Sequence, residues 1–280
     1  MGRLTQRRRV VRVTRTEAGV ATRERADVLA AEEPLELRMR GESFTVTMRT
    51  PGHDFELAAG FLVSEGILSS PEQLLGLRYC AGTDEAGNQT YNVIDADLDP
   101  ALAALAVKDR RQVLTTSACG ICGTTSIDAV EKALPAHQPA AQLTMSAQTL
   151  LDLPDRLREG QQLFDKTGGV HAAGLFSGEG ELLCVREDVG RHNAVDKVVG
   201  RAFLDGQLPL GGTALQVSGR ASFELVQKAA LAGVELLSAV GAPSSLAADL
   251  AERAGITLAG FSRGRSINIY THAHRISDVA

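Results

Sequence analysis

The amino-acid sequence predicts an α/β protein in which a larger, layered C-terminal part follows a smaller part of mixed helix and strand. Three observations predict this class. From residue 182 onward, short apolar stretches of strand length alternate with helical stretches of about three turns. Before residue 95, period-two alternation is the main pattern, and one helical stretch interrupts it. The chain has 280 residues, 44% of them hydrophobic, which is enough for two domains with a sizeable core.

The first segment, residues 1–25, is predicted to be a disordered basic tail. It holds eight arginines and two glutamates, so its net charge is +6, while the remainder of the chain carries −11. Arg7, Arg8 and Arg9 have no apolar stretch behind them, so the segment does not resemble a secretory or twin-arginine signal. Without such a signal we expect a cytoplasmic protein whose cysteines are reduced.

The smaller mixed part is predicted over residues 26–110. Its strands are indicated by alternating apolar and polar side chains, and its helix by apolar residues that recur on one face. In chain order these elements are a hairpin at 34–39 and 43–48, a helix at 55–66, strands at 79–80 and 91–94, and a connecting stretch with a helix at 95–108.

The larger part, residues 111–280, is predicted to be a layered α/β domain. A strand–turn–helix unit recurs in it, although the residues themselves do not repeat at a fixed period. Its strands are at 182–185, 213–218, 235–240, 256–261 and 267–270, and its helices are at 127–134, 194–203, 223–231 and 246–254.

The turns after these strands carry groups that suit an anion. Arg191, Arg220 and Arg265 each follow a glycine at equivalent places in the predicted sheet, and Ser222 and Ser244 stand where helices begin. Helix N-termini expose unpaired N–H groups, arginine adds bidentate phosphate geometry, and ligands favour the carboxyl ends of strands. The pattern predicts a phosphate-bearing ligand, although a single Gly–Arg pair is common and a single serine is an ordinary N-cap. No Rossmann or Walker glycine pattern occurs, which disfavours NAD and ATP.

A sharper signal is the pair Cys119 and Cys122, which stands among glycine, serine and threonine before the predicted helix at 127–134. A thiolate at such a place is stabilised by the helix N–H groups and is a nucleophile toward sulfur, so it could hold sulfur as a persulfide. Spacing alone leaves two alternatives open, a thioredoxin-like redox pair and a zinc site completed by other cysteines or histidines. A zinc deaminase is disfavoured because no proline precedes Cys119 and no H-x-E motif occurs.

Two histidines are weaker candidates. His171 lies in a stretch of small residues where a ligand could approach closely, although a core or loop histidine is an equally good interpretation. His192 lies among polar residues that could orient a ligand or simply cap and flank a helix. These neighbours are Asp188, Asn193 and Asp196.

Composition argues against two classes of partner. The acidic compact part, with 8 Phe, 3 Tyr and no Trp, is poorly suited to nucleic acid. No apolar run reaches the roughly 18 residues that are needed to span a bilayer, so no membrane association is expected.

Five short motifs are informative when they are taken together. They are 117–123 (SACGICG), 187–197 (EDVGRHNAVDK), 218–224 (SGRASFE), 242–247 (APSSLA) and 260–265 (GFSRGR). Together they resemble the formate dehydrogenase accessory sulfurtransferases, the FdhD/NarQ family. The resemblance runs from about residue 33 to residue 271, and the combination is far more specific than C-x-x-C alone.

The resemblance implies a three-layer, cytidine-deaminase-like fold for the larger domain, and a homodimer. It also implies a sulfur carrier that accepts sulfur from a cysteine desulfurase as a persulfide. The acceptor is molybdenum bis(molybdopterin guanine dinucleotide), which formate dehydrogenase needs in sulfurated form.

Family knowledge assigns the persulfide to Cys119, with Cys122 in an auxiliary role, and no metal site is expected. It assigns cofactor binding to the stretch Phe261, Ser262, Arg263, Gly264, Arg265 and Ser266. Serine at position 262 is a local departure that leaves the arginine and glycine positions intact. Further candidate contacts are Arg191, His192, His171, Arg220 and Ser222, with GDP as a fragment ligand. The alternatives are a non-catalytic chaperone that binds the same cofactor, or a thiol-disulfide oxidoreductase.

Overall fold

The computed structural model describes residues 4–80, 82, 90–100, 102 and 143–279 of the chain. Within them lie a two-stranded hairpin, a four-stranded sheet and a six-stranded sheet. The predicted helix at 127–134, the predicted boundary near residue 110, and the pair Cys119 and Cys122 lie outside the described residues.

The N-terminal segment forms an antiparallel hairpin, which differs from the disorder predicted for residues 1–25. Strand β1 is Thr5–Thr16 and strand β2 is Gly19–Ala30. Valine and threonine are interspersed with arginine along both strands, and these β-branched residues favour extended structure. Gly19, with a φ of 123°, begins the second strand after a tight turn. The prediction of disorder rested on the net charge of the segment, which does not show these interspersed β-branched residues.

The four-stranded sheet has the order β4–β3–β6–β5. Its elements are β3 (Glu33–Met39), β4 (Glu42–Arg49), helix α1 (Asp54–Ser64), a 3-10 turn (Pro71–Gln73), β5 (Leu74–Tyr79) and β6 (Val93–Leu98). The predicted hairpin and helix are confirmed. Residues 95–98, predicted to be a connection, instead continue β6, because Ile94, Ala96 and Leu98 alternate along it and are buried in the core.

The six-stranded sheet has the order β12–β11–β10–β9–β7–β8. Its strands are β7 (His171–Ser177), β8 (Leu182–Asp188), β9 (Thr213–Val217), β10 (Leu236–Ala239), β11 (Thr257–Arg263) and β12 (Ser266–Ile269). The helices are α2 (Ala147–Glu159), α3 (Gln162–Thr167), α4 (Arg191–Leu204), α5 (Phe223–Leu231) and α6 (Ser245–Arg253). The elements predicted from residue 182 onward are confirmed, whereas the sequence patterns did not predict α2, α3 or β7.

The directions of the strands decide where their ends meet. Strands β9, β10 and β11 are parallel. Strand β7 runs antiparallel to both β8 and β9, and β12 runs antiparallel to β11. The carboxyl ends of the three parallel strands therefore lie at the same edge as the first residue of β7.

Helices cover both faces of this sheet, as the predicted α/β class requires. Leu215 and Val217 of β9 belong to the core that α4, α5 and α6 share with the four-stranded sheet. Ala214, on the other face, belongs to a second core with Leu150 and Leu153 of α2. Successive side chains of β9 thus pack into two separate hydrophobic cores, one on each face of the sheet.

Two glycines allow α1 and α4 to touch through their backbones. A Cβ atom on Gly60 would lie 1.8 Å from the carbonyl oxygen of Asp196, and one on Gly200 would lie 1.8 Å from that of Glu56. Any side chain at either position would force the helices apart. The crossing joins the four-stranded sheet to the helix that begins at the candidate site.

The described helices are short. The longest of them, α4, has 14 residues, and none has both the length and the apolar character to cross a membrane.

Candidate functional site

Polar side chains gather at the edge of the six-stranded sheet where β9, β10 and β11 end and β7 begins. Helices α4 and α5 start from the same edge. The structure thereby brings together five of the residues that the sequence analysis singled out. We refer to His171, Arg191, His192, Arg220 and Ser222 as the anion edge.

Arg191 and His171 approach each other beside Gly219. A Cβ atom on Gly219 would lie 3.6 Å from His171 Nδ1 and 3.8 Å from Arg191 Cδ, which are ordinary contact distances, so both side chains border this glycine. Arg191 Nε is buried and has no hydrogen-bond partner among the described residues. Burial lowers the pKa of His171, and the positive charge of Arg191 lowers it further, against the opposing charge of Asp188. The two side chains therefore offer an unused guanidinium donor and a neutral imidazole.

His192 and Ser222 stand at the starts of α4 and α5. His192 Nε2 lies 3.4 Å from Ser222 Oγ and 3.9 Å from Glu224 Oε2. Burial lowers the pKa of His192 to about 4, and the charges of Arg191 and Lys228 contribute, against two nearby carboxylates. The imidazole is therefore neutral at neutral pH. Ser222 makes no side-chain capping bond to the backbone of α5. Burial alone would raise the pKa of Glu224, but the Ser222 hydroxyl bonds the Glu224 carboxylate and thereby helps to lower that pKa.

Backbone hydrogen bonds tie three strand ends together around Arg220. The Gly241 N–H donates to the Gly219 carbonyl at 2.8 Å, and the Phe261 N–H donates to the Gly241 carbonyl at 3.1 Å. A Cβ atom on Gly241 would lie 2.8 Å from Arg220 Cγ, so glycine is needed beneath the arginine stem. Phe261 has a φ of 53°, and the guanidinium of Arg263 lies 5.9 Å from the centre of its ring. Arg220, Phe261 and Arg263 are all exposed at this edge.

The remainder of the predicted cofactor stretch divides between two environments. Ser262 is fully buried, and its Oγ has no hydrogen-bond partner among the described residues. Gly264 and Arg265 form the turn between β11 and β12, where Arg263 stands opposite Ser266. Arg265 thus follows a strand-to-strand turn, because β12 returns antiparallel to β11. This corrects the prediction of three equivalent Gly–Arg turns in the sheet, since only those of Arg191 and Arg220 lead into helices.

A buried ion pair fixes the start of α4. Asp188 Oδ2 accepts hydrogen bonds from Lys197 Nζ at 2.7 Å and from the Thr50 N–H at 3.1 Å. Its Oδ1 accepts from the Gly190 N–H at 2.8 Å and from Asn193 Nδ2 at 3.0 Å. Thr50 follows β4, so the contact joins the anion edge to the four-stranded sheet. Asp188 and Asn193 were predicted from sequence as neighbours of the site, whereas Lys197 was not, although a lysine inside the apolar run of α4 is a signal for such a role.

The anion edge has groups of the kinds that bind phosphate in proteins. Its arginines supply positive charge and bidentate donors, and the N-termini of α4 and α5 add unpaired N–H groups and the positive ends of their dipoles. Neutral His171 and His192 add hydrogen bonds without further charge. Within the described ranges, no group of three or more His, Cys, Asp or Glu residues could hold a metal ion.

Comparison with known proteins gives one consistent result. Residues 30–277 match the sequence model of the FdhD/NarQ family. A protein of Streptomyces avermitilis named sulfur carrier protein FdhD is 54% identical over 99% of this chain and 97% of its own. The protein of the same name from Saccharolobus solfataricus is 39% identical over 99% of this chain and 100% of its own. The fold also matches the crystal structure of a Desulfotalea psychrophila protein described as a formate dehydrogenase accessory protein. That match has a TM-score of 0.74 and 24% identity, and it covers 98% of this chain and 100% of the other.

Proposed function

Because this chain belongs to the FdhD/NarQ family, we propose that it is a sulfur carrier that loads sulfur on Cys119 and delivers it to molybdenum bis(molybdopterin guanine dinucleotide). A cysteine desulfurase is the donor, and formate dehydrogenase is the enzyme that receives the sulfurated cofactor. The carrier works in the cytoplasm as a homodimer. The names of the relatives support sulfur carriage and the link to formate dehydrogenase.

The observation that carries the cofactor proposal is the buried Nε of Arg191 at the anion edge, which has no hydrogen-bond partner among the residues that the structure describes. A buried guanidinium N–H without a partner costs free energy of about 1 to 3 kcal/mol unless a ligand supplies the acceptor. A pyrophosphate of the guanine dinucleotide supplies such acceptors, and its charge suits the adjoining Arg220 and the start of α4. The exposed Phe261 and Arg263 stand beside this place and offer an aromatic face and a further cation.

Sulfur loading needs only an accessible thiolate. The Cys119 thiolate attacks the outer sulfur of the desulfurase persulfide, so a new S–S bond forms on Cys119 while the S–S bond of the donor breaks. The donor cysteine leaves as a thiolate, and the proton stays on the transferred sulfur. Atoms and electrons balance without an added oxidant. Cys122 is auxiliary in this scheme.

Two measurements test the proposal together. Mass spectrometry after incubation with a desulfurase and cysteine should show the addition of one sulfur atom to the wild-type chain and to Cys122→Ser, but not to Cys119→Ser. Calorimetry should show that the wild-type chain binds GDP. Formate dehydrogenase activation by Cys119→Ser at the wild-type level would point to a cofactor chaperone instead. Reduction of a disulfide substrate without any desulfurase would point to an oxidoreductase.

A further inference from the structure

A buried carboxylate lies close to Arg191, whose Nε has no hydrogen-bond partner in the part of the chain that the structure describes. Asp188 ends β8 and Arg191 begins α4, so the two residues are three positions apart. Asp188 also stands directly opposite His171 in the pairing of β7 with β8. A Cβ atom on Gly219 would lie within 4 Å of both His171 and Arg191. A carboxylate and a guanidinium thus border the same histidine.

Lys197 explains why this carboxylate does not hold Arg191. Lys197 Nζ lies 2.7 Å from Asp188 Oδ2, and the two side chains are 1% and 0% exposed. Three further N–H donors complete the bonding of the two carboxylate oxygens, and they belong to Thr50, Gly190 and Asn193. Asp188 therefore has its charge balanced and its oxygens occupied without Arg191.

Lys197 does not itself contact a ligand at the anion edge. Its ammonium group donates to the Thr50 carbonyl at 2.9 Å and to Asp188, and the side chain is buried. The ammonium group thus acts inside the protein, on the carboxylate beside the site. Any effect of Lys197 on ligand binding is therefore exerted through Asp188.

We propose that Lys197 is a positioning residue that keeps Arg191 available to a phosphate ligand by neutralising Asp188. Without Lys197, Asp188 would carry an uncompensated charge in the protein interior, which is costly. Arg191 is a cation close at hand, and its planar fork suits a carboxylate as well as a phosphate. Asp188 would then occupy the donors that a ligand needs. This inference rests on the phosphate site of the proposed function.

A purely structural role for the ion pair makes a different prediction. In that case the loss of one partner or of both would disturb the start of α4 and weaken ligand binding. In the positioning role, binding is lost when Lys197 is removed and Asp188 is retained. Removing both charges leaves the net charge of the site unchanged and leaves no carboxylate at position 188 to hold Arg191. The double variant Asp188→Asn with Lys197→Met therefore separates the two roles.

Calorimetry with GDP on the full chain is the first measurement. Lys197→Met should raise the dissociation constant at least about tenfold, whereas the double variant should stay within about threefold of the wild type. Lys228→Met is the matched control, because Lys228 is another buried lysine, paired with Asp196 at 2.8 Å. This control should lower stability but keep the wild-type affinity for GDP.

Chemical modification measures the availability of Arg191 without any ligand. Phenylglyoxal reacts with guanidinium groups, and peptide mapping by mass spectrometry gives the rate at each arginine. The rate at Arg191 should fall several-fold in Lys197→Met, because the guanidinium is then held by Asp188, and it should return to the wild-type rate in the double variant. Arg40, exposed in the β3–β4 turn, is the internal reference.

Two results would overturn the proposal. One is a folded double variant that has lost GDP binding, and this result does not require that Lys197→Met folds. The other is a wild-type rate of modification at Arg191 in a folded Lys197→Met chain. If the wild-type chain binds no GDP, the proposed cofactor site fails, and the modification rates still decide whether Lys197 keeps Arg191 unpaired. The two failures are therefore distinguishable.

Discussion

Arg191 and Arg220 occupy adjoining turns but have different surroundings. Arg191 is half-buried, and its Nε has no partner among the described residues, whereas Arg220 is exposed above Gly241. The two side chains would therefore contribute in different ways to the proposed phosphate ligand. Arg191 would supply a directed donor in a region of low dielectric, and Arg220 would supply positive charge at the exposed edge of the site.

Replacing Arg220 by alanine should weaken GDP binding by about 1.5 to 3 kcal/mol, roughly 10- to 150-fold, because a charge-assisted hydrogen bond is lost. Arg191→Lys keeps the charge but loses the guanidinium fork, so it should also weaken binding. Calorimetry with GDP measures both effects. Arg253→Ala, at the far end of α6, is the control and should bind like the wild type. Wild-type affinity for GDP in both site variants would contradict phosphate binding by Arg191 and Arg220.

His192 should make the fold less stable in mild acid. Its pKa is lowered from 6.5 to about 4 in the folded chain, so the unfolded chain binds the proton first. The free energy of unfolding should therefore fall as the pH drops from 6.5 toward 4, and His192→Gln should lose less stability over that range. Urea denaturation of both chains at about pH 7 and about pH 5 measures the difference. Parallel losses in the two chains would contradict a neutral His192.

The close crossing of α1 and α4 depends on the absence of a side chain at two glycines. Gly60 and Gly200 each face the carbonyl oxygen of a residue on the other helix. Such contact brings the helix axes closer than ordinary side chains permit. The position of the start of α4, with Arg191 and His192, is therefore fixed relative to α1 and the four-stranded sheet.

Gly200→Ala should destabilise the chain by more than about 3 kcal/mol, above the usual cost of overpacking, because the added methyl group meets backbone that cannot move away. Gly76→Ala makes the same exchange on β5, where nothing lies within 4 Å of the added atom. The control should therefore change stability by less than about 1 kcal/mol. Chemical denaturation compares the two variants. Equal small effects would mean that the helices can separate without cost.

Sequence patterns predicted the elements whose period is clear. Helix α5 at Phe223–Leu231 has the predicted bounds, because its apolar residues repeat at helical spacing between a serine and a glycine turn. Helix α2 was missed although Leu150, Leu153 and Leu157 have that spacing, because Pro154 in its middle is typical of a break. Strand β7 was missed because its small residues indicate a loop as readily as a buried strand.

The sequence predicted which turns carry the candidate site residues, but it did not predict the contacts between those turns and the remainder of the chain. The Gly–Arg pairs of Arg191 and Arg220 lie, as predicted, at the edge where the carboxyl ends of the parallel strands meet. Nothing local indicated that Thr50 would bond Asp188, which is 138 residues away in sequence. The predicted strands at 256–261 and 267–270 already placed Arg265 between two strands, so its Gly–Arg pair should not have been treated as equivalent to those of Arg191 and Arg220.

Buried charges join the two parts of the molecule at more than one place. Lys197 and Asp188 connect α4 and β8 to the chain after β4. Arg186 of β8 donates to Glu56 of α1 at 2.8 Å. Burial alone would raise the pKa of Glu56, but Arg186 and His53 lower it to about 2, so this ion pair persists in mild acid. Removing one member of such a buried pair is costly, because the other charge stays buried without a partner.

Sulfur loading and cofactor binding should be separable in the whole molecule. Cys119→Ala should still bind GDP, because no phosphate contact is assigned to the cysteine pair. Arg220→Ala should still accept sulfur from a desulfurase, because that step needs only the Cys119 thiolate. Neither variant should activate formate dehydrogenase. Mass spectrometry, calorimetry and an activation assay on each variant measure the three properties. A folded Cys119→Ala chain that has lost GDP binding would place the cysteine pair inside the nucleotide pocket.

The direct contact between Gly60 and α4 also has a consequence for the proposed exchange of a ligand at the anion edge. At Gly60 and Gly200 the two helices meet through their backbones, so little can repack there, and we expect the start of α4 to keep its orientation when a ligand binds or leaves. The entropy lost in ordering Arg191 and His192 is then lost once, when the chain folds, and not again at each binding event. For the proposed carrier, residence time at this edge would then be set by the contacts of the ligand itself, which suits release soon after binding.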